Sequence, residues 1–430
     1  MNVAIFGVGL ISKVAAAMFA SVGNHVTVFH ANKLERAYVN EPQLEKLYAR
    51  QKESGRLIEG DNEENEQRDF DYILVADISL SSFFELFGTE LENSLKKRGS
   101  VINLTPSAIG ESQKIYNQYL SCLNIDETLK SEYKPICCVP LMVREGRSIS
   151  DFSRPDNIIF GCDDPLQVAG LKALFYPFNR VRDVIKVVST KEAEFSCFAG
   201  NAMLATRLSF MNEMAALADT TDVDIEVIRE CIGSDPRIGN DYLYPSCGYG
   251  GNALSGNLSK VADALNDRNG DLGLLKVVAE INERQKEILF RKIWKFFHTK
   301  LNNIQVAIWG ASFKPGTSSI AGAPSIKLID SLLAQGAKIK IYDPLASNNI
   351  RSLYGNNAHI ELVKNRDDAL VDSDVLAICT EWKEFWSPDF DLIKTSLKSS
   401  AIFDGRNLYQ PAMLKELGIQ YFGIGRGERI

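Results

Sequence analysis

The first residues with recognisable chemistry form a glycine turn near the N-terminus. Gly7-Val8-Gly9 follows a short apolar run and precedes an apolar segment that predicts a helix. In such a turn the first glycine allows a tight bend, and the second lets the backbone approach a pyrophosphate at the helix N-terminus. Ser12 stands at the third glycine position of this motif. The turn predicts a nucleotide site with Gly7, Gly9 and Leu10 as cofactor residues; a merely tight strand-to-helix turn is the alternative.

The residue after the second predicted strand tests this prediction. Dinucleotide sites carry Asp or Glu there, because a carboxylate accepts hydrogen bonds from the ribose hydroxyls. This chain has Phe29-His30 instead. A histidine cannot replace the carboxylate as acceptor, although it could donate to a ribose or, with nearby Lys33 or Arg36, to the 2′-phosphate of NADP. An exposed loop histidine is an equally good interpretation of His30.

Composition excludes several classes of protein. With 45% apolar and 24% charged residues, the chain has the ordinary composition of a globular protein, and its 430 residues correspond to roughly two or three domains. A net charge of −7 and a pI near 5.4 argue against partners such as nucleic acid or an anionic membrane. No apolar run approaches the ~20 residues of a membrane span, and the N-terminus lacks a basic signal-peptide region.

Cysteine and histidine usage points away from a metal or disulfide framework. The eight cysteines are scattered without C-x-x-C spacing, and none of the four histidines pairs with a cysteine or carboxylate at ligand spacing. We therefore predict no metal site, and reduced thiols in a cytoplasmic protein.

The hydrophobic pattern predicts an α/β protein with two Rossmann-like, doubly wound lobes joined by a helical middle domain. The predicted domains are 1–189, 190–297 and 298–430. Strands are expected at 3–6, 26–29, 72–75, 101–104, 305–308, 375–379 and 401–403. Helices are expected at about 10–21, 82–97, 192–217, 260–297 and 325–335, with a solvated acidic loop at 59–71.

Further short motifs recur through the middle and C-terminal parts of the chain. They are Glu192-Ala193-Glu194, Asn201-Ala202-Met203-Leu204-Ala205, Ser209-Phe210-Met211-Asn212-Glu213, Asp235-Pro236-Arg237-Ile238-Gly239, Gly248-Tyr249-Gly250-Gly251, Phe313-Lys314-Pro315, Thr380-Glu381-Trp382 and Phe403-Asp404-Gly405-Arg406-Asn407. Together these motifs resemble the UDP-glucose/GDP-mannose dehydrogenase family, in the family's own order and over nearly the whole chain.

The resemblance implies an N-terminal lobe that binds NAD, a central dimerising helix and a C-terminal lobe that binds UDP. In that family a cysteine attacks the aldehyde formed by a first hydride transfer. A second hydride transfer then yields a thioester, which water hydrolyses to a uronate. A lysine and an asparagine of the central helix stabilise the oxyanion.

At the catalytic positions the sequence departs from this pattern. Ala253 stands where the nucleophilic cysteine belongs, Cys197 replaces the lysine, and Leu141 replaces a glutamate. Asn201 is retained. Methyl and isobutyl groups can neither attack a carbonyl nor move a proton, so the family's chemistry is altered or lost, unless Cys247 or Cys197 serves as the nucleophile.

On the cofactor side the resemblance is also incomplete. Where the family carries acids and an arginine, this chain has Ser318, Ser319 and Ala321, and a loop with a Thr-Pro dipeptide is missing between Val75 and Asp77. Thr105 is retained from the loop that lies under the nicotinamide in the family.

The nucleotide-sugar side matches better. The resemblance implies that the backbone amides of Tyr249, Gly250 and Gly251 face the substrate. Lys314 and Arg406 match positions near the substrate, and Arg237 matches a residue that the neighbouring subunit donates. Each cation alone could be a surface charge, but three in matching motifs favour a retained site for a diphosphate.

We therefore expect a protein of this family that uses NAD or NADP, binds a UDP-sugar and forms a homodimer or a higher oligomer. Its chemistry on the sugar is altered or lost. The alternative is a catalytically inactive, UDP-sugar-binding paralogue with a regulatory or scaffolding role, which could pair with an active homologue.

Overall fold

The computed structural model describes residues 1–7, 9–29, 41, 43–60, 69–87, 100–122, 133–144, 146–256 and 273–427, the side chains of 122, 252 and 253 excepted. His30, Lys33 and Arg36 lie outside the described residues. The chain forms two units, Met1–Ala199 and Gly200–Ile430. The three-domain division stays a prediction. No helix in the described ranges is long and apolar enough to cross a membrane.

The first unit is built on one sheet. Its strands are β1 (Asn2–Phe6), β2 (His25–Phe29), β3 (Leu57–Gly60), β4 (Tyr72–Val75), β5 (Ser100–Asn103), β6 (Cys137–Cys138), β7 (Ile158–Gly161) and β8 (Ile185–Val188). Its helices are α1 (Leu10–Ser21), α2 (Leu44–Glu53), α3 (Leu80–Phe87), α4 (Glu111–Cys122), α5 (Ser148–Ser153) and α6 (Pro165–Phe175). The strand order is β3-β2-β1-β4-β5-β6-β7-β8, and only the β6–β7 pair is antiparallel among these strands.

This strand order creates a crevice between β1 and β4. From β1 the chain adds β2 and β3 on one side and then crosses over to add β4 and β5 on the other. In open parallel sheets, ligands bind at such a reversal, outside the carboxyl ends of the strands. The central strands are buried on both faces, as β1 is from Val3 to Phe6.

A long helix, α7 (Thr190–Thr221), begins in the first unit and ends in the second. The helical part of the second unit continues with α8 (Ile225–Gly233), α9 (Leu274–Gln285) and α10 (Ile288–Phe296). Between α8 and α9 the described chain is mostly irregular, with a π-helical turn at Asn252–Gly256.

The second sheet repeats the plan of the first. Its strands are β9 (Gln305–Trp309), β10 (Lys338–Tyr342), β11 (Ile360–Leu362), β12 (Val375–Ile378), β13 (Ala401–Asp404) and β14 (Gln420–Phe422). Its helices are α11 (Pro324–Ala334), α12 (Ser347–Tyr354), α13 (Arg366–Leu370), α14 (Phe390–Ser396) and α15 (Pro411–Glu416). The order β11-β10-β9-β12-β13-β14, parallel throughout, places a second crevice between β9 and β12.

The predicted fold class, two doubly wound lobes with a long central helix, is confirmed. Two local predictions need correction. Glu59 and Gly60 belong to β3 and not to a loop, because Glu59 pairs with Val28 of β2. The helix predicted over 260–297 is broken at 286–287, between α9 and α10, and 257–272 lie outside the described residues. The helix predicted over 82–97 is described only as α3, since 88–99 also lie outside.

Candidate dinucleotide and nucleotide-sugar sites

The glycine turn lies at the carboxyl end of β1, where the crevice of the first unit opens. Ser12 is buried, and its hydroxyl accepts from the Gly9 amide at 3.1 Å and donates to the Gly9 carbonyl at 2.9 Å. A Cβ on Gly7 would lie 2.8 Å from the Cβ of Ser12. The serine at the third glycine position therefore closes the turn, and only glycine fits at position 7.

A carboxylate that the motifs did not indicate lies against this turn. Asp77 follows β4, and its Oδ2 accepts from the Ser12 amide in the first turn of α1 at 2.8 Å. A Cβ on Gly9 would lie 2.6 Å from the Cγ of Asp77. The space that Gly9 leaves open is thus taken by the Asp77 side chain.

The backbone of Asp77 is held in an unusual conformation. Its φ is +60°, in the left-handed region that L-residues seldom adopt. Its amide donates to the hydroxyl of Thr105 at 2.8 Å. Burial raises the pKa of the Asp77 carboxyl, and hydrogen bonds from Ser12, Ile11 and Gly9 partly offset that rise. Thr105, predicted as a cofactor residue, contacts the residue that faces the glycine turn.

The turn lies at the start of α1, where the first amides and the helix dipole favour an anion such as the pyrophosphate of a dinucleotide. In this conformation the Asp77 side chain fills the space beside Gly9. Leu10 begins the helix at this point. The roles of Gly7, Gly9, Leu10, Thr105 and His30 toward a cofactor stay predictions.

A second carboxylate in the first unit positions the loop after β5. Glu194 of α7 is buried, and it accepts from the amides of Gly110 at 2.6 Å and Ser112 at 3.0 Å. Asn103 accepts from the Thr105 amide at 3.1 Å. The segment that carries Thr105 is therefore fixed at both of its ends.

In the second unit, Asn282 of α9 holds the loop that carries Tyr249, Gly250 and Gly251. The Tyr249 amide donates to Asn282 Oδ1 at 2.9 Å, and Asn282 Nδ2 donates to the Tyr249 carbonyl at 3.0 Å. The Gly251 amide donates to the carbonyl of Ala321 at 2.8 Å. Two of the three amides expected to face a substrate are therefore bonded within the chain in this conformation.

The glycines of this loop are required for close packing. A Cβ on Gly250 would lie 2.8 Å from the Gly322 carbonyl oxygen. Gly251 has a φ of +84°, and a Cβ there would lie 2.8 Å from the ring of Phe313. The loop thus lies directly on the segment after β9 that contains Lys314.

Two cations reach the crevice of the second unit. Arg406, after β13, is largely buried; its Nε donates to the Cys379 carbonyl at 2.7 Å and pairs with Glu381 Oε2 at 3.1 Å. The ammonium of Lys314 lies 5.5 Å from the centre of the Phe313 ring. Both charges therefore stand at the carboxyl edge of the second sheet, where a nucleotide would bind.

The third predicted cation, Arg237, lies elsewhere. Its side chain is 87% exposed and pairs with Asp235 at 2.6 Å in the turn after α8. The structure therefore does not bring Arg237 together with Arg406 and Lys314. This exposure suits a residue that serves a second copy of the chain, which stays a prediction.

Comparison with known proteins identifies the family. Three domain models of the UDP-glucose/GDP-mannose dehydrogenase family match the chain: the NAD binding domain at 1–179, the central domain at 191–284 and the UDP binding domain at 307–411. The UDP-glucose 6-dehydrogenase of Pseudomonas aeruginosa is 32% identical over 445 aligned positions, covering 99% of this chain and 98% of that protein. The chain belongs to the UDP-glucose/GDP-mannose dehydrogenase family.

Other relatives and solved structures agree. The UDP-glucose 6-dehydrogenase of Rhizobium meliloti is 26% identical, and the alignment covers 99% of this chain and 100% of that protein. A UDP-glucose dehydrogenase structure from Pyrobaculum islandicum has a TM-score of 0.84 at 22% identity, covering 99% of this chain and 97% of that one. A UDP-D-ManNAc dehydrogenase structure from Pyrococcus horikoshii has a TM-score of 0.83 at 21% identity and covers both chains fully (100%). These structures share the fold, and the match of the NAD binding domain supports NAD as the cofactor.

The structure describes three of the four positions that the resemblance marks as catalytic with their side chains, and their catalytic role stays a prediction. Cys197 and Asn201 lie one turn apart on α7. Cys197 is only 3% exposed, and burial raises the pKa of its thiol to about 11. Leu141 packs against the hydrophobic core of the first unit. Ala253 lies in the π-helical turn, and its side chain is outside the described residues.

Cys247 is no better placed as a nucleophile. It is fully buried, its amide donates to the Gly405 carbonyl at 2.8 Å, and a Cβ on Gly405 would lie 2.6 Å from its Sγ. Burial raises the pKa of its thiol. Because the thiolate is the reactive form, both Cys197 and Cys247 have the environment of inert, structural cysteines.

Proposed function

We propose that this family member binds a UDP-sugar and NAD but does not oxidise the sugar to a uronate. One observation carries the proposal: position 253 is alanine, and the thiols of Cys197 and Cys247 are buried and protonated at neutral pH. Bound NAD would supply the hydride acceptor. The second oxidation also requires a nucleophile that adds to the aldehyde, and neither of these two thiols is activated for that step.

The nucleotide-sugar side supports binding. Arg406 and Lys314 provide a guanidinium and an ammonium at the sheet edge after β13 and β9, and both suit the oxygens of a diphosphate. Glu381 holds the Arg406 side chain in place, so little side-chain entropy would be lost when an anion arrives. Because these cations are retained while the catalytic cysteine and lysine are replaced, we infer that the protein binds the nucleotide sugar without turning it over.

The first experiment is calorimetric titration with UDP, several UDP-sugars, NAD and NADP, followed by incubation of UDP-glucose with NAD. We expect binding of UDP and UDP-glucose, and no UDP-glucuronate by mass spectrometry. Steady formation of UDP-glucuronate would overturn the proposal. Absence of any UDP binding would overturn its nucleotide-sugar part.

A gain-of-function test examines whether the rest of the site is intact. The double change Ala253→Cys with Cys197→Lys restores the two missing groups, and Ala253→Cys alone is the matched control. Because the thiol and the cation act together, we expect uronate formation from the double variant only. Failure of a folded double variant that still binds UDP-glucose would indicate a remodelled pocket.

We also propose that the protein is a homodimer or a higher oligomer through α7. Met203, Phe210 and Leu217 are 62%, 47% and 57% exposed, and their spacing of seven residues places them along one face of the helix. The exposed Arg237 would then serve the site of the second copy. Light scattering of the wild type and of Phe210→Glu tests this, since a charge in that face should yield monomer.

The location we propose is the cytoplasm. The seven cysteines whose side chains are described are free thiols, which is typical of a reducing compartment. Among the described residues, no three His, Cys, Asp or Glu side chains come together in a way that could hold a metal ion.

A further inference from the structure

The contact between Asp77 and α1 places a carboxylate at the N-terminus of a helix, a point that favours anions. Its Oδ2 accepts from the Ser12 amide at 2.8 Å, and the neighbouring backbone of Gly9 and Ile11 lowers the pKa of this carboxyl against the larger effect of burial. Helix α1 is twelve residues long and has no acidic side chain in its own first turn. Asp77 therefore supplies the negative charge that the N-terminus of this helix attracts.

The same point is where a dinucleotide would place its pyrophosphate. The reversal of strand order lies between β1 and β4, and the glycine turn and Asp77 are at the carboxyl ends of these two strands. The second glycine of the turn normally leaves room for phosphate oxygens. Here the atoms nearest to the missing Cβ of Gly9 are the Cγ, Cβ and Oδ2 of Asp77, at 2.6–2.8 Å.

A carboxylate and a pyrophosphate cannot share these amides. Both are anions, both need the same donors, and like charges at hydrogen-bond distance repel. One of them has to leave before the other binds.

We propose that Asp77 is an internal occupant of the pyrophosphate subsite, so that a dinucleotide binds only after this carboxylate withdraws from α1. The inference rests on the proposed dinucleotide site and adds an autoinhibitory contact to it. The conformation that accepts the dinucleotide is then a minor one, and the apparent affinity falls by the fraction of molecules in which Asp77 has withdrawn.

The backbone around Asp77 suits such a movement. Asp77 adopts a left-handed φ that costs an L-residue energy, and the Thr105 hydroxyl holds its amide at 2.8 Å. When a bound anion takes over the α1 amides, one of the interactions that keep Asp77 in this conformation is lost. When Asp77 withdraws, the pyrophosphate replaces its carboxylate at the N-terminus of α1, and Asp77 can leave the unfavourable left-handed conformation.

The test compares dinucleotide binding by variants of the full chain. Asp77→Gly removes the carboxylate and tolerates the positive φ, and Asp77→Asn keeps the shape without the charge. Asp372→Gly is the matched control, because Asp372 is an exposed aspartate with the same φ of +60° in the second unit. Calorimetry with NAD and with ADP-ribose measures affinity, adenosine serves as a ligand without pyrophosphate, and circular dichroism checks folding.

We expect Asp77→Gly to bind NAD and ADP-ribose roughly tenfold or more tightly than the wild type, since an opposing charge and an occupied conformation are both removed. The affinity of Asp77→Asn for both ligands should lie between those of the wild type and Asp77→Gly. Asp372→Gly should match the wild type, and adenosine binding should be the same in all four proteins.

Two other results have distinct meanings. If the wild type and both Asp77 variants bind NAD and ADP-ribose equally, the carboxylate is no competitor and the inference is overturned while the dinucleotide site stands. If folded Asp77→Gly binds neither ligand, the proposed dinucleotide site itself is overturned, and the autoinhibitory role with it.

Discussion

Each sheet has an aspartate near its crevice whose carboxylate accepts hydrogen bonds from backbone amides. The two carboxylates bind different elements: Asp343 binds a loop, and Asp77 binds a helix. Asp343 follows β10 and is buried; its Oδ2 accepts from the Ala311 and Ser312 amides at 2.7 and 2.9 Å. These amides belong to a long loop after β9, and α11 begins only at Pro324. Asp77 instead accepts from α1 itself.

The same interaction, a carboxylate that accepts hydrogen bonds from backbone amides, therefore has a different consequence in each unit. On the loop of the second unit, the Asp343 carboxylate satisfies amides that would otherwise be buried without acceptors, and its described partners do not include the first residues of α11, the helix that follows this loop. On the helix of the first unit, the carboxylate satisfies amides that a ligand would also use. The first arrangement contributes stability only, whereas the second sets stability against binding.

The largest expected effect is the loss of the Asp343 carboxylate. Asp343 also accepts from the Leu345 and Ala346 amides at 2.8 and 2.7 Å, so Asp343→Ala leaves four amides without this acceptor. We expect the free energy of unfolding of the second unit to fall by about 3–5 kcal/mol. All four tryptophans lie in residues 200–430, so urea unfolding followed by tryptophan fluorescence reports on this unit.

The controls for this prediction are Asp343→Asn, which keeps one acceptor oxygen and should lose less, and Asp372→Ala at an exposed turn. A loss below about 1 kcal/mol for Asp343→Ala would mean that water replaces the carboxylate, and the contrast between the two crevices would fail.

A smaller loss is expected in the first unit. Asp77→Ala removes an acceptor at a helix N-terminus, a change that costs about 0.5–2 kcal/mol. Amide hydrogen exchange of α1 should accelerate, while the tryptophan-detected transition of the second unit should stay at its wild-type midpoint. Equal losses from Asp77→Ala and Asp343→Ala would contradict the comparison, because they would give both carboxylates the same structural role.

The smallest effect is a pH dependence that belongs to Asp77. Burial, as the largest cause, raises the pKa of its carboxyl in the folded protein above the unfolded value of about 3.9. The folded state therefore binds this proton more tightly. The resulting contribution to stability is fully present below the unfolded pKa and is lost as the pH rises through the folded pKa.

Asp77→Asn serves as the reference, because it has no titrating carboxyl at position 77. Subtraction of its pH profile from that of the wild type removes the contribution of all other titrating groups. We expect hydrogen exchange of α1 to show the wild type losing stability relative to Asp77→Asn as the pH rises from about 4 toward neutrality. A difference that is constant over this range, or of opposite sign, would show that the amides of Ser12, Ile11 and Gly9 outweigh burial.

Local patterns predicted much of the fold. The β1–turn–α1 unit was predicted within one residue, since a buried strand, a glycine turn and an apolar helix are all encoded by neighbouring residues. Glu59 was misassigned to a loop because an acidic, polar stretch is typical of solvent-exposed chain, while its pairing with Val28 depends on a strand thirty-one residues away. Arg406 and Lys314, which the motifs assign to positions near the substrate, follow β13 and β9, and their role in binding stays a prediction.

Contacts between distant residues could not be predicted in this way. Asp77 accepts a hydrogen bond from Ser12, which lies 65 residues earlier in the sequence. The only indication in the sequence that the segment after Val75 is unusual is the missing Thr-Pro loop. The glycines at 250 and 251 were expected to expose amides, whereas packing against Phe313 and Gly322 is what requires them. The burial of Cys247 depends on Gly405, which lies 158 positions later in the sequence.

The division between the two units falls at Ala199–Gly200, inside α7. Gly200 is exposed, and nothing lies within 4 Å of where its Cβ would be. A glycine inside a helix costs about 1 kcal/mol relative to alanine, and here no close packing compensates for it. Separation of the two units at this boundary would therefore cut a continuous helix and not a flexible linker.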